Sequence, residues 1–158
     1  ETGADDYNTK PFNLTTLSMR VHNLIHSRHQ LRQKFSKEVT LQPKNITITS
    51  QDEIFLEKAL AIVEQNLEDE SFNVTNFVRE IGMSRAVLYK KIKALTDLSI
   101  IEFIKSVRLK KAAILLAQNQ FMITDVAMQV GFTDPRYFRK CFRSEFGMTP
   151  RDYAAKHK

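Results

Sequence analysis

Cysteine is nearly absent. The lone Cys141 among 158 residues excludes an internal disulfide framework and fits a reducing cytoplasm. Glycine and proline are also sparse, four of each, which favours long helices over a succession of tight turns. No apolar run approaches the roughly 20 residues needed to cross a bilayer, and no secretory signal is recognisable. No Ser–His–acid set, phosphate-cradling glycine loop or zinc-ligand spacing occurs, so catalysis has no candidate residues and no cofactor or metal is expected. What remains is a cytoplasmic, non-enzymatic chain without membrane contact, long enough for one good core or two small ones. It begins at Glu1 rather than Met and is expected to be a piece of something longer.

Charge is present but unevenly placed. Residues 1–70 hold 8 Lys/Arg against 11 Asp/Glu, whereas residues 71–158 hold 16 against 7. The first half is therefore net negative, at −3, and the second strongly positive, at +9, the electrostatic footprint of a polyanion binder. Composition alone is equally compatible with a solvated surface, so the positions of the charges decide.

Along the chain, residues 1–12 read as turn, short extended segment, turn. Asn13 is placed to cap a helix with Leu14, Leu17, Val21 and Leu24 on one face. Positions 17, 21, 24, 28, 31 and 35 continue it as a short heptad seam that Arg28 interrupts. Packing on its own domain is the expected use, and a dimerising coil the alternative. His22, His26 and His29 share a face of that helix, but no cysteine or carboxylate completes a metal set, so they read as polar surface. Residues 36–50, with Pro43, form a linker. Ser50–Glu53 spells a capping box, after which Leu56, Leu60, Val63 and Leu67 lie on one helical face. The N-x-T triplets at Asn13, Asn45 and Asn73 carry no meaning in a cytoplasmic protein.

From residue 73 the chain repeats itself. Val74, Phe77, Val78 and Gly82 match Ile123, Val126, Ala127 and Gly131 at an offset of 49; after one inserted residue, Leu88, Ile92 and Ser99 match Phe138, Phe142 and Thr149 at an offset of 50. Each copy has the grammar of a helix-turn-helix. A short amphipathic helix ends at Gly82 or Gly131, where the chain must reverse with a positive φ. An apolar plug follows, Met83 or Phe132, then Ser84 or Thr133 near the start of a second helix. That helix should bury Leu88, Ile92 and Leu95 in one copy and Phe138, Phe142 and Phe146 in the other. Its opposite face carries Arg85, Lys90, Lys91 and Lys93, or Arg136, Arg139, Lys140 and Arg143, with no acid between 85 and 93 or between 136 and 143. Solvated faces normally mix both signs, so two acid-free faces at equivalent places point to phosphate and base contacts. Residues 100–118, free of Gly and Pro, join the copies as one helix with Ile100, Ile104, Val107 and Leu115 toward a core. At about 1.5 Å per residue it would span just under 30 Å, against major-groove segments that recur about every 34–36 Å.

Residues 52–158 resemble the AraC-type DNA-binding domain. The resemblance rests on Arg108-Leu109, Ala112 and Leu115-Leu116, and on the dense block from Ile123 through Asp125, Val126, Gly131, Phe132, Tyr137, Phe138, Phe142, Gly147 and Thr149 to Pro150. Asp97 stands where that family often has glycine, and Met122 where it usually has a small capping residue. Residues 1–26 are similar to the final strand and helix of a response-regulator receiver domain, through GADDYNTKPFN at 3–13. That likeness makes Lys10 the phosphoryl-contacting lysine and Tyr7 the switching aromatic, and implies a cis bond before Pro11; without the acceptor aspartate this stretch is not expected to take phosphate.

The expected organisation is therefore a receiver remnant over 1–35 (short strand plus helix), a linker over 36–50, and an all-α domain over 51–158 with two helix-turn-helix units on a long linking helix. The resemblance implies that Arg85, Ala86, Tyr89 and Lys90 face bases from the first recognition helix and Pro135, Arg136, Arg139 and Lys140 from the second, with Lys91 a phosphate contact. Arginine is the natural bidentate partner of guanine, while Ala86 and Pro135 offer only apolar contact. The implied function is sequence-specific transcription control, more activator than repressor, in a two-component system. Expected partners are double-stranded DNA over two adjacent major-groove segments and RNA polymerase, with the piece a monomer or a weak homodimer. The alternative is a protein-interaction module that turns a basic face to RNA polymerase or to a kinase or receiver partner instead of DNA.

Overall fold

In a computed structural model, residues 50–158 are described, Ser50 by its backbone only, and they form seven helices without a strand. They are α1 (Ser50–Gln65), α2 (Val74–Ile81), α3 (Arg85–Thr96), α4 (Ile100–Ala117), α5 (Ile123–Gln129), α6 (Pro135–Phe146) and α7 (Pro150–Lys156). The expectations that fall on residues 1–49 lie outside the described residues: the receiver-like tail with Tyr7, Lys10 and the bond before Pro11, the helix from Asn13 with its seam and histidines, and the body of the linker.

Each boundary has a local cause. Asn73 opens α2 reciprocally: its Oδ1 accepts from the Thr75 and Asn76 amides at 2.8 and 3.2 Å, and its own amide donates to Asn76 Oδ1 at 3.2 Å. The N-x-T triplet at Asn73 thus begins with a helix cap. Ser99 and Glu102 do the same for α4. Hydrogen bonds from the Ser99 backbone and hydroxyl, the largest causes, hold the Glu102 carboxyl below its usual pKa. Asp97 closes α3 at φ 63, and Gly147, 50 residues on, closes α6 at φ 71. The same left-handed cap is therefore made with and without a side chain. Met122 starts α5 with no side-chain hydrogen bond, as its departure from the small capping type implied.

The repeat is larger than the motif. Ser99 and Thr149 both cap the next helix, so α2-α3-α4 is echoed by α5-α6-α7. Helix α7 has only seven residues, with Pro150 and Tyr153 buried. Two cores result. Phe55, Phe77, Leu88, Ile92, Phe103 and Val107 belong to the first, and Leu109, Ala112, Val126, Phe138, Phe142 and Tyr153 to the second. Helix α4 serves both, its first half in one core and its second half in the other. It is consequently buried on more sides than the single face expected: Phe103, Leu109, Ala112, Ala113 and Leu116 are all inside, whereas Leu115 is only half-buried.

Candidate nucleic-acid interface

Helix α3 is aimed by the turn before it. Gly82, at φ 73, reverses the chain; Met83 packs against the first core; Ser84 Oγ accepts from the Val87 amide at 3.3 Å. Leu88, Ile92 and Leu95 are buried, which leaves Arg85, Ala86, Tyr89 and Lys90 exposed. In the second copy Phe132 is the buried plug and Gly131 reverses the chain at φ 80. The cap here is Asp134, not Thr133: its Oδ1 accepts from the Arg136 amide at 2.8 Å. The one-residue insertion in this copy moves the cap along by one and puts Pro135 at the first helical position, where a missing amide hydrogen costs nothing. Phe138 and Phe142 are buried, but Phe146 is only half-buried, because it lies at the end of α6 against Tyr153 (ring centroids 5.6 Å apart).

Pro135, Arg136, Arg139 and Lys140 are all exposed, and Arg143 continues their stripe one turn on. A shallow hollow of about 490 Å³ lies among Arg139, Lys140, Arg143, Ser144 and Thr149. The first copy is less basic than its sequence suggests. Lys93 donates to the Asp97 carbonyl at 2.7 Å and pairs with its carboxylate at 3.3 Å, so it serves the helix end. Lys91 is half-buried with Nζ 5.1 Å from the Phe55 ring centroid on α1, a cation–π seat at the flank of the exposed face. Arg85 and Lys90 remain as its exposed basic surface, with Tyr89 between them 48% exposed.

The two helices open on common ground. Arg85 at the start of α3 and Asp134 and Tyr137 at the start of α6 line one cleft of about 700 Å³, with Ile101 and Lys105 of α4 as its floor. Sequence reasoning missed Lys105, Ile101 and the half-exposed pair Val87 and Tyr137. The last two stand 50 residues apart, so the register of the repeat already paired them. Interaction with the Cys141 side chain raises the pKa of Tyr137 above the ordinary phenol value.

Behind the cleft lies Arg108, expected only as part of a family pattern. It is buried, and its guanidinium donates from Nη2 to the Asp69 carbonyl at 2.7 Å and from Nη1 to the Gly131 carbonyl at 3.3 Å. Burial lowers its pKa, and the Asp69 carboxylate opposes that shift. Among the described residues no group of three or more His, Cys, Asp or Glu is placed to hold a metal, and no helix is long and apolar enough to cross a membrane.

Comparison with known proteins agrees with this geometry. The helix-turn-helix domain family matches residues 77–156. The chain is 46% identical to a Formosa agariphila protein called histidine kinase P4 over 153 residues, 97% of this chain and 11% of that one. It is 34% identical to the HTH-type transcriptional activator RhaR of Salmonella dublin over 101 residues, 64% of this chain and 36% of that one. It thus spans far less than two thirds of either relative. The DNA-binding domain of AdpA, a global transcriptional factor solved in complex with a target DNA, superposes with a TM-score of 0.57 at 26% identity, over 65% of this chain and 91% of that chain.

Proposed function

Because this chain belongs to the AraC-type helix-turn-helix family of DNA-binding regulators, we propose that it reads a specific operator through two adjacent major-groove segments and works as the output end of a two-component transcription activator. The observation that carries this reading is the common cleft: two capped helices, each with an acid-free basic outer face, begin at its rim on the same side of the molecule. Arg136, Arg139 and Lys140 are assigned base edges, as are Arg85, Tyr89 and Lys90; Ala86 and Pro135 supply apolar contact, and Lys91 meets phosphate. The whole protein, of which the receiver-like residues 1–35 would be a part, takes its signal by phosphorylation and acts in the cytoplasm, with RNA polymerase as the partner of activation. Binding and not chemistry is the task of the described helices. On duplex DNA the chain binds as a monomer or a weak homodimer.

The test is titration onto labelled duplex at several salt concentrations. If about six phosphates are neutralised, log K against log salt falls with a slope near −5. A slope near zero would leave the basic faces to a protein partner and overturn the DNA reading.

A further inference from the structure

The core of this molecule changes hands at one residue. Ile100, Phe103, Ile104 and Val107 of α4 lie in the first core, and Leu109, Ala112, Ala113 and Leu116 in the second. Arg108 stands at the seam, 8% exposed. Its two hydrogen bonds run to different units: Asp69 lies in the loop between α1 and α2, and Gly131 in the turn between α5 and α6. Asp69 is itself held, since its Oδ1 accepts from the Ser71 amide at 2.9 Å and the Ser71 hydroxyl at 2.6 Å, which fixes the loop that offers its carbonyl.

The two glycines of the repeat show that this contact is specific to one of them. A Cβ built on Gly82 would meet nothing within 4 Å, whereas one on Gly131 would stand 2.5 Å from the Leu67 carbonyl oxygen and 2.8 Å from Arg108 Nη1. Both positions need a positive φ, but only Gly131 also needs to be bare, because the loop of the first unit and the guanidinium close on it. Three residues after Gly131, Asp134 caps α6, so the turn gripped by Arg108 is the one that aims the second recognition helix.

We propose that Arg108 is a positioning residue that fixes the second recognition helix relative to the first, and thereby sets the operator spacing this protein accepts. The inference rests on the DNA reading above. A planar fork suits two carbonyls on different segments, which a lysine ammonium on a flexible stem would not hold in one orientation. Each unit keeps its own apolar core without the fork, so loss of Arg108 should free the angle between units more than it unfolds either.

The experiment uses the sequence that the wild-type chain selects from a random duplex pool, and versions of it with one base pair added or removed between the two contacted segments. One base pair turns the second segment by about a tenth of a helical turn, and wild type should lose about ten-fold or more in affinity, the size of a lost base contact. R108K and R108M should keep wild-type helical content by circular dichroism and discriminate between the spacings by less than about three-fold. If the folded variants retain the full spacing penalty, the inference is overturned and the DNA reading stands. Loss of the fold in R108K, which keeps the charge, would also overturn it, by showing a folding role instead of a positioning one. A wild-type chain that enriches no sequence would overturn the DNA reading and this inference with it.

Discussion

Arg136 and Arg139 stand three residues apart on the exposed face of α6, so both can enter one groove. Replacing either with Ala should cost about 1–3 kcal/mol of binding and relax preference at one base pair, read by competition between operator variants. Lys91 belongs to another class. Its Nζ over the Phe55 ring ties it to α1, so K91A should weaken binding to all sequences alike, lower the salt slope by about one, and cost about 0.5–1 kcal/mol of stability through the lost cation–π contact. A change in sequence preference with no change in slope would mean that Lys91 reads a base. Beneath α6, Phe138 is fully buried with ring centroids 5.3 Å from Phe132 and 5.7 Å from Phe142. F138A should destabilise by about 3–5 kcal/mol in thermal unfolding. At this scale the sequence was legible wherever the repeat supplied a register, since Ala86, Tyr89 and Lys90 pair with Arg136, Arg139 and Lys140 at the same offset of 50. It was not legible for Lys91 and Lys93. Charge places a lysine on a face but does not say that a ring or a helix end already holds it.

Elements are set by their ends. Asp97 closes α3 in the left-handed region, where a side chain is strained and its repeat mate Gly147 is not. What Asp97 gains in return is a pair with Lys93 between groups 71% and 47% exposed, worth a few tenths of a kcal/mol at most at such exposure, about 0.3–0.5 for an i,i+4 pair. D97G should therefore stabilise the chain by about 0.5–1 kcal/mol, read as a rise in melting temperature, while Lys93 keeps its bond to the backbone carbonyl of residue 97. A fall in melting temperature would mean that the cap pair outweighs the strain. Capping also explains what the sequence hid in the second unit. With Thr133 aligned to Ser84, the insertion went unassigned to a side, and only the Asp134 hydrogen bond shows that it precedes the cap. Helix α4 was found but misjudged, because an amphipathic reading looks for one buried stripe, and a helix shared by two cores is buried on different sides along its length.

At the scale of the whole molecule, the seam in α4 makes the effect of an insertion depend on where it falls. One added residue turns everything beyond it by about 100° and advances it by about 1.5 Å. Within 101–106 the turn separates Ile100 from Val107 and breaks the first core; within 110–115 it separates Leu109 from Leu116 and breaks the second. Between Val107 and Arg108 neither core is divided, since the apolar residues up to Val107 belong to the first core and those from Leu109 onward to the second. The rotation then falls on the contacts across the seam, where Arg108 reaches Asp69, the Ser106 hydroxyl donates to the Glu145 carboxylate of α6 at 2.7 Å, and the Leu67 carbonyl faces Gly131. An alanine inserted at the seam should leave helical content and most of the unfolding enthalpy in place, yet abolish simultaneous reading of both groove segments while each half-site alone is still bound weakly. An alanine inserted after Ala112 should instead melt the second unit and spare the first. Calorimetry beside half-site titration separates the two, and equal damage from both insertions would mean that the units fold as one indivisible core, with the linking helix merely its longest member.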